Sequence, residues 1–281
     1  MILAPLRGVT IRAFREAFAG PIVEAGFTEA FTPFIAALPG LNPLKDRELQ
    51  PPSPSPLPLT PQFIGKDPAS LREALKRVRD AGYQTADLNC GCPFPMVRNK
   101  GRGSGLLRSP DTLQRMLEAG CETMGEGRFS VKARLGVERT DELLKLMPRL
   151  NGFPLRFLTV HARTARQMYT GACDHAAFSA VRAAAKMPVI YNGDAEPVAG
   201  PAGEHLMVGR AFLRSLGARD DFRPLFERYL AISLAELSGE HPVLGRMKEL
   251  LAYFKDLPAW HRRWQVIKLA RSLDELRLAM W

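Results

Sequence analysis

The sequence lacks any long uncharged apolar run. Across its 281 residues, 46% of them hydrophobic, no stretch approaches the roughly eighteen apolar residues that a membrane-spanning helix needs. The first residues, Met1-Ile2-Leu3-Ala4-Pro5, also lack the charged region and the apolar run of a signal peptide. These two absences predict a soluble, cytoplasmic protein with no membrane partner.

Cysteine is scarce, with four residues at positions 90, 92, 121 and 173. Cys90 and Cys92 are separated by a single residue, and neither a second Cys or His pair nor a Cys-x-x-Cys motif lies nearby. The sequence therefore predicts no metal site and reduced thiols. A lone buried cysteine commonly acts as a small hydrophobic side chain, so a chemical role for Cys92 must rest on its position.

Acidic residues are outnumbered. The chain has 39 Lys and Arg against 29 Asp and Glu, a formal net charge of +10, and its pI is near 9.8. Such an excess is typical of proteins that bind nucleic acids, but it also occurs as plain solubilising surface charge. Charge alone leaves both interpretations open.

The chain also lacks a repeat of fixed period. Short apolar runs alternate instead with helix-like segments, and eight of these runs are predicted strands: residues 2–4, 27–32, 62–65, 86–89, 130–134, 157–160, 189–192 and 206–208. Strands alternating with helices indicate a parallel sheet. Eight of them in a chain of this length predict an α/β fold, a TIM (β/α)8 barrel over residues 1–220.

Helix starts are well marked in two places. Ser109-Pro110-Asp111 combines a capping serine, a proline suited to the first helical position and an acidic residue, and this helix is predicted to reach about Glu122. Asp67-Pro68 opens another helix in the same way. Its predicted buried face is formed by Leu71, Leu75 and Val78.

Prolines concentrate between Pro51 and Pro61, in the sequence Pro-Pro-Ser-Pro-Ser-Pro-Leu-Pro-Leu-Thr-Pro. Proline at this density excludes a regular helix or a central strand. We expect a stiff surface connector here; a proline ligand for a partner domain is the less favoured alternative.

From about Asp221 the alternation gives way to helical periodicity, which predicts a small helical domain over residues 221–281. One face carries Met247, Leu250, Leu251 and Phe254, and Trp264, Ile267 and Leu269 follow. The last stretch interleaves two tryptophans with basic residues, namely Trp260, His261, Arg262, Arg263, Trp264, Lys268 and Arg271. This pattern suits phosphate contact and base stacking, although a solvated basic face gives the same pattern.

Polar residues gather at the ends of the predicted strands, where TIM barrels place their active sites. They are Gln62, Asn89, Cys92, Lys132, Arg134, His161, Arg163, Asn192, Asp194 and Arg210. Lys132 and Arg134 share one strand face, which is costly inside a barrel unless an anion meets them; the alternative is that both lie at a wet rim. Gly193 and Gly209 close the last two strands, where TIM barrels bind phosphate. A phosphorylated cofactor fits this set.

The run Gly101-Arg102-Gly103-Ser104-Gly105 begins nine residues beyond Cys92 and is rich in glycine. Its spacing matches neither the dinucleotide fingerprint nor the Walker motif, so we do not assign it to a nucleotide. We expect a flexible edge near Cys92 and close packing of the helix that follows.

Several motifs together resemble the tRNA-dihydrouridine synthase family from Ile2 to about Arg271. The motifs are Ala4-Pro5-Leu6 with Gly8-Val9-Thr10, Asp87-Leu88-Asn89-Cys90-Gly91-Cys92-Pro93, Val131-Lys132-Ala133-Arg134-Leu135-Gly136, Val160-His161-Ala162-Arg163-Thr164 with Tyr169, Asn192-Gly193-Asp194, Gly209-Arg210 and Arg246-Met247-Lys248. The form Asn-Cys-Gly-Cys-Pro is most similar to the bacterial C-type branch.

The resemblance implies an FMN enzyme that reduces a uridine in tRNA to 5,6-dihydrouridine with NADPH. Cys92 would be the catalytic proton donor. The cofactor-binding residues would be Pro5, Leu6, Arg7, Gln62, Lys132, His161, Asn192, Gly193, Asp194, Gly209 and Arg210, and the tRNA-binding residues Asn89, Tyr169, Arg246 and Lys248. Residues 1–220 would form the FMN-binding barrel and residues 221–281 a tRNA-binding domain. The alternatives are a tRNA-binding protein with a decayed flavin site, or an FMN barrel that acts on a free pyrimidine or enone.

Two departures from the family pattern stand out. Leu6 replaces a usual Met, a change that a backbone contact survives. The connection from Asp194 to Leu206 is too short for an ordinary parallel crossover with its helix. The seventh helix of the barrel is therefore predicted to be shortened or missing, which puts phosphate binding beside it in question.

Overall fold

The structure is a computed structural model that describes residues 1–49, 55–197 and 205–281. A parallel sheet forms its centre. The strands are β1 Ile2–Leu3, β2 Glu29–Phe31, β3 Ile35–Ala36, β4 Leu59–Thr60, β5 Gln62–Ile64, β6 Ala86–Cys90, β7 Phe129–Gly136, β8 Leu158–Thr164, β9 Val189–Asn192 and β10 Leu206–Val208. Each of the eight predicted strands has a counterpart among them.

The sheet closes into a barrel through the short stretch that contains β4 and β5. Ala30 of β2 pairs with Leu59 of β4, and Gln62 of β5 pairs with Asp87 of β6. Only Pro61, which has no N–H for the ladder, separates the two halves. The hydrogen-bonded order β5-β6-β7-β8-β9-β10-β1-β2-β4 therefore returns to its start. The predicted TIM-barrel fold is confirmed.

This closure also corrects one expectation. The proline-rich segment was expected to exclude a central strand, yet Leu59 and Thr60 form β4. The prediction is wrong at these two residues because neither is a proline, so their backbone pairs with Ala30 and Phe31 of β2. Residues 50–54 of the segment lie outside the described residues.

Helices surround the barrel and form the end of the chain. They are α1 Arg12–Ala17, α2 Ala19–Glu24, α3 Pro68–Asp80, α4 Pro95–Arg98, α5 Pro110–Met124, α6 Glu142–Leu150, α7 His175–Ala184, α8 Arg210–Leu216, α9 Phe222–Glu236, α10 Glu240–Leu251, α11 Pro258–Ile267 and α12 Leu273–Met280, with 3-10 segments at Pro43–Lys45, Arg47–Leu49, Gly103–Arg108 and Ala252–Phe254. No helix in the described part of the chain is long and apolar enough to cross a membrane.

The two predicted helix starts have different outcomes. Asp67 caps α3 by accepting a hydrogen bond from the Ser70 N–H at 2.9 Å, and the predicted face of Leu71, Leu75 and Val78 is buried. Ser109 does precede α5, but its side chain makes no capping hydrogen bond. That part of the prediction is wrong, because Ser109 also ends the preceding 3-10 segment, where its N–H bonds to the Leu106 carbonyl at 3.0 Å.

The region expected to lack a seventh helix lies between β9 and β10. Residues 193–197 and His205 contain no helix. Residues 198–204 lie outside the described residues, so the loss of that helix stays a prediction for the segment as a whole.

Alternate residues of each strand point into the barrel, and those near its C-terminal end are polar. On β8, Leu158, Val160 and Ala162 belong to the core between the sheet and the helices. The intervening residues Thr159 and His161 therefore point into the barrel, and both are buried.

The C-terminal helices pack directly on the barrel. Phe18, between α1 and α2, stacks on Phe222 of α9, with ring centroids 6.3 Å apart, and it meets Tyr229 of α9 edge to face at 5.8 Å. The predicted face of Met247, Leu250, Leu251 and Phe254 joins this same core. The expected boundary at residue 221 coincides with the start of α9, but the hydrophobic core is continuous across it.

Two residues of the tail differ from the expectation. Trp260 is buried, and its indole N–H donates to the Gly217 carbonyl at 2.6 Å, so it packs inside the protein and is not free to stack on a base. Leu269 was grouped with the apolar face but is 71% exposed. Ile267, two residues earlier, takes the buried position.

Candidate active site

A pocket opens at the C-terminal end of the barrel, where the loops that follow the strands converge. It is lined by Ala4, Pro5, Leu6, Arg7, Phe34, Asn89, Gly91, Cys92, Pro93, Phe94, Lys132, Arg134, His161, Tyr169, Asn192, Gly193, Gly209 and Arg210. The structure thus brings together Cys92, most of the predicted cofactor residues and two of the four predicted tRNA residues. The predicted residues Gln62, Asp194, Arg246 and Lys248 lie outside this lining.

Some lining residues were absent from the predicted set. Arg134 was noted for its strand face but not assigned to the site, and Phe34 and Phe94 were not considered. Phe34 follows β2 by three residues, so the strand-end rule that found the polar residues would also have found it if apolar side chains had been included.

Cys92 is held in a tight turn after β6. Its N–H donates to Asn89 Oδ1 at 2.9 Å, and its carbonyl accepts from the Ser104 hydroxyl at 2.8 Å. Gly103 backs the turn with a φ of +56°, and a Cβ there would lie 2.8 Å from that of Cys92. A glycine is needed at this position because another residue would clash with Cys92 and adopt a strained backbone.

Burial raises the pKa of the Cys92 thiol, and the Phe94 N–H, Arg134 and Arg7 oppose that rise only in part. The side chain is 6% exposed. The sulfur therefore keeps its proton at neutral pH, as an acid requires and a nucleophile does not.

A chain of buried side chains supports the Cys92 turn from below. Asp87 accepts from the Ser130 hydroxyl at 2.6 Å and from Gln62 Nε2 at 2.8 Å. Gln62 Oε1 in turn accepts from Asn89 Nδ2 at 2.7 Å. Gln62 is thus a link between Asp87 and Asn89. The second N–H of Asn89 Nδ2 remains for a ligand.

Asp87 is fully buried, and this burial raises the pKa of its carboxyl to about 7 in spite of the hydrogen bonds from Ser130 and Gln62. Cys90, on the same strand, is also fully buried, and burial raises the pKa of its thiol far above the ordinary range. Cys90 points away from the pocket into the core against the helices.

Lys132 lies at the base of the pocket, where its Nζ donates to Asn192 Oδ1 at 2.7 Å. Asn192 is held in turn by a bond from its Nδ2 to the Met207 carbonyl at 2.8 Å. Burial and the nearby Arg134 lower the pKa of Lys132 to about 7, and the more distant Asp87 opposes them. Within the described residues, Lys132 has no carboxylate at ion-pair distance, so its charge is left for an anion to balance.

Arg134 ties two loops together. Its Nε donates to the Gly91 carbonyl at 2.9 Å, and its Nη1 donates to the carbonyls of Thr164 at 2.8 Å and Met168 at 2.6 Å. Burial lowers the pKa of the guanidinium to about 10, which leaves it charged at neutral pH. Arg134 therefore joins the Cys92 turn to the loop that presents Tyr169.

Tyr169 is clamped between two guanidinium groups. Arg134 lies 5.3 Å from the ring centroid and Arg210 lies 5.2 Å from it. Met168, just before it, has a φ of +53°, a backbone conformation that non-glycine residues adopt only where the surroundings impose it. Tyr169 is 39% exposed, so the clamp presents one part of the ring to the pocket mouth.

Asp194 forms ion pairs with two arginines, Arg163 and Arg210, behind the pocket. It forms a short hydrogen bond with Arg163 Nη2, and its other oxygen accepts from Arg210 Nη2 at 3.2 Å. His161 is buried beside Arg163, and burial together with Arg134 and Lys132 lowers its pKa well below the ordinary value. His161 is therefore neutral, while Asp194 orients the arginines from outside the lining.

Glycine closes the last strand where the backbone approaches β1. A Cβ at Gly209 would lie 3.0 Å from that of Ala4 and 3.3 Å from Leu6 Cδ1. This close approach lets the backbone after β10 border the pocket beside Gly193; phosphate binding at this end of the barrel stays a prediction.

Arg246 and Lys248 lie on α10 and bond within the protein. Arg246 Nη1 donates to Glu236 Oε2 at 2.9 Å and to the Ser233 hydroxyl at 3.2 Å. Lys248 Nζ donates to the Lys268 carbonyl at 3.1 Å and also bonds to the Ala270 carbonyl. These bonds tie α10 to α9 and to the end of α11. A contact of either residue with tRNA stays a prediction.

The lining has a strong charge asymmetry. It includes Arg7, Lys132, Arg134 and Arg210 but, among the described residues, no Asp or Glu. The described residues also contain no cluster of three or more His, Cys, Asp or Glu that could hold a metal ion. The pocket is built to take an anionic ligand.

The fold and the site define a TIM-barrel enzyme whose chemistry lies at the strand ends. The barrel is similar to that of morphinone reductase in complex with tetrahydroNAD, with a TM-score of 0.52, 12% identity, and coverage of 80% of this chain and 89% of that one. It is also similar to the old yellow enzyme homologue from Zymomonas mobilis, with a TM-score of 0.54, 12% identity, and coverage of 76% and 85%. At these identities the likeness shows the fold alone.

Sequence comparison identifies the family. The sequence model of the dihydrouridine synthase family (Dus) matches residues 2–211. A probable tRNA-dihydrouridine synthase of Rhodobacter capsulatus is 33% identical over 198 residues, which span 69% of this chain and 59% of the relative. The tRNA-dihydrouridine synthase B of Pseudomonas aeruginosa is 30% identical over 291 residues, 97% of this chain and 81% of the relative.

The chain therefore belongs to the dihydrouridine synthase family, and the prediction of an enzyme of this family is confirmed. The Pseudomonas relative is a B-type enzyme by name. The likeness to the C-type branch rests on the Asn-Cys-Gly-Cys-Pro motif alone.

Proposed function

We propose that the chain reduces a uridine of tRNA to 5,6-dihydrouridine, with FMN as cofactor, NADPH as reductant and Cys92 as proton donor. Membership of the family supports the substrate. The observation that carries the proposal is the position of Cys92. Its thiol is protonated and lines a pocket that has cationic side chains at its bottom. The intact pocket disfavours the alternative of a tRNA-binding protein with a decayed flavin site.

The residues present fit FMN. The buried Lys132, which has no carboxylate at ion-pair distance among the described residues, the pocket cations and the close backbone at Gly209 suit a planar anionic group that carries a phosphate. Pro5, Leu6, Arg7, Lys132, His161, Asn192, Gly193, Gly209 and Arg210 would hold it, with Gln62 and Asp194 acting behind them. The chemistry that FMN supplies when bound is hydride transfer to C6 of the uracil, after reduction by NADPH.

The side chains of the protein supply the rest. Cys92 delivers the proton to C5 of the uracil, and the ammonium of Lys132 stabilises negative charge at the base of the pocket. Asn89 offers its remaining N–H to the uracil, and Tyr169 lies at the mouth where the nucleotide enters. The target base must leave its stack to reach them.

The function is tested by incubating the purified protein with FMN, NADPH and an unmodified tRNA transcript. We expect a two-hydrogen mass gain at a uridine, measured by mass spectrometry of RNA fragments. A gel shift of the tRNA without that gain would favour the binding-only alternative. Equal reduction of free uridine would favour the enzyme that acts on a free pyrimidine.

Replacing Lys132 with glutamine is expected to weaken FMN retention and to slow reduction of the flavin by NADPH. In the wild type, a bound anion favours the ammonium form of Lys132. FMN affinity should therefore fall as the pH rises above the Lys132 pKa of about 7, and the fall should reach up to about tenfold per pH unit. The Lys132→Gln variant should lose this fall. Flavin fluorescence of the apoprotein titrated with FMN from about pH 6 to pH 9 measures both profiles.

Asp87, whose pKa is also about 7, keeps titrating in the Lys132→Gln variant. Lys132 lowers the pKa of Asp87, so its removal also moves the Asp87 titration to higher pH, and the difference between the two profiles reports the coupled pair. Superimposable profiles, with equal flavin content, would mean that Lys132 does not face the cofactor.

Replacing Arg246 and Lys248 together with alanine tests the predicted tRNA contact on α10. If both groups exchange their internal bonds for tRNA phosphates, the variant should bind tRNA with a shallower salt dependence, by about one unit of slope per lost contact. The lost bonds to Glu236 and to the Lys268 carbonyl should also lower the melting temperature. Fluorescence titration of labelled tRNA at several salt concentrations, together with thermal melts, separates the two effects. A lower melting temperature with an unchanged slope would assign both residues to packing only.

A further inference from the structure

The loop that follows Cys92, residues 93–102, presents apolar side chains to solvent beside the pocket. Phe94 is 40% exposed and lines the pocket mouth. Met96, two residues on, is 71% exposed. Both lie at the start of α4, a single helical turn in which no residue is buried. This apolar edge therefore has no partner within the barrel.

Four cations lie on and beside the same loop. In the described part of the chain, the side chains of Lys66, Arg98, Lys100 and Arg102 make no hydrogen bond and no ion pair. The Nε atoms of Arg98 and Arg102 are buried as well as unbonded, although a buried guanidinium nitrogen ordinarily finds an acceptor. We name these four residues the loop patch.

The loop patch borders the candidate active site. The Lys66 Cδ lies 3.6 Å from the position of a Cβ on Gly101, which places this lysine against the loop. Arg102 precedes Gly103, the glycine that backs Cys92. The patch and Phe94 thus flank the turn that carries the thiol.

We propose that the loop patch and Phe94 hold the RNA strand next to the target uridine, with the cations on its phosphates and Phe94 stacked on a neighbouring base. The inference rests on the proposed function, because a base that enters the pocket brings its flanking phosphates to the rim. Four cations on and beside one loop, without partners in the described chain, match a polymer of regularly spaced phosphates better than a single small anion. An exposed aromatic ring among cations is the arrangement that single-stranded nucleic acid prefers.

The proposal is tested by titrating a labelled, unmodified tRNA transcript into the FMN-loaded protein at several salt concentrations. Arg98→Ala with Arg102→Ala should weaken binding about tenfold and lower the salt slope by about two units, one for each lost phosphate contact. Phe94→Ala should also weaken binding about tenfold, but with a line parallel to that of the wild type, because stacking releases no counterions.

Lys76→Ala with Lys186→Ala is the matched control. It removes the same net charge from two exposed side chains, one on α3 and one after α7, that also lack partners in the described chain. We expect it to leave both the affinity and the slope almost unchanged. An equal loss of slope in this control would overturn the proposal, because the effect would then come from net charge.

Two further outcomes would also overturn the proposal, and they differ in what they say about the proposed function. A wild-type protein with no salt-dependent tRNA binding would reject both the loop patch and the proposed function. A steep wild-type slope that Arg98→Ala with Arg102→Ala leaves unchanged would reject the loop patch alone. In that case a raised KM for NADPH in flavin reduction without tRNA would assign the two arginines to the reductant.

Discussion

Replacing Cys92 with alanine is expected to lower turnover about a thousandfold, the middle of the range for loss of a general acid. The variant should keep its FMN and its tRNA affinity. The side chain is small, and the turn around it is held by backbone bonds to Asn89 and Ser104 that alanine preserves. Single-turnover measurement of dihydrouridine formation from pre-reduced enzyme isolates the step in which the proton is delivered.

Cys90→Ala is the control for the loss of a thiol on the same strand. Cys90 is buried in the outer core, so its loss should cost roughly 1 kcal/mol of stability and little activity. The raised pKa of Cys92 adds a second signature, because loss of the thiol proton should lower the wild-type rate only in alkali, above the pH at which Lys132 titrates. Comparable turnover in Cys92→Ala and wild type would remove Cys92 as the acid.

Replacing Arg134 with methionine is expected to lower turnover about a hundredfold and the free energy of unfolding by about 3 kcal/mol. The change removes bonds to three carbonyls, from Gly91, Thr164 and Met168, and leaves them without a charged donor in a buried site. The Cys92 turn and the Tyr169 loop would then move independently, and small displacements at a reacting centre are costly. Denaturant melts and single-turnover rates measure the two losses.

Arg134→Lys separates the clamp from the charge. Lysine keeps a cation in the pocket but cannot reproduce the planar fork that reaches both loops. We expect it to be almost as slow as the methionine variant. The pKa of Lys132 should rise in the methionine variant, since Arg134 contributes to its depression. Full activity in Arg134→Lys would show that the charge alone is required.

The sequence was sufficient to place the strands and the rim of the site. The spacing of apolar residues and the turn residues between the apolar runs predict each strand. Parallel strands bring their C-terminal residues to one end of a barrel, so Asn89, Lys132 and Asn192 are expected to lie together. The way in which the barrel closes was not readable. The proline density predicts a break at Pro61. In the structure Pro61 only separates β4, which pairs with β2, from β5, which pairs with β6.

The orientation of long polar side chains was the other limit. The family resemblance assigned Gln62 and Asp194 to the cofactor, but both point to neighbouring side chains that come from distant parts of the chain. Arg246 likewise finds Glu236 only once α9 and α10 are packed together. Trp260 seemed a stacking platform beside its basic neighbours until the fold buried it. Such partners are fixed by tertiary packing, which local pattern does not encode.

The continuous core beneath the C-terminal helices limits how the chain can be divided or recombined. Phe18, between α1 and α2, and Leu216 of α8 share their apolar neighbourhood with Phe222 and Tyr229 of α9. A chain cut before α9 would expose this surface on the barrel and invite aggregation. The tail therefore cannot be exchanged as a module between relatives. We expect the barrel and the C-terminal helices to unfold in one transition, because they share this core.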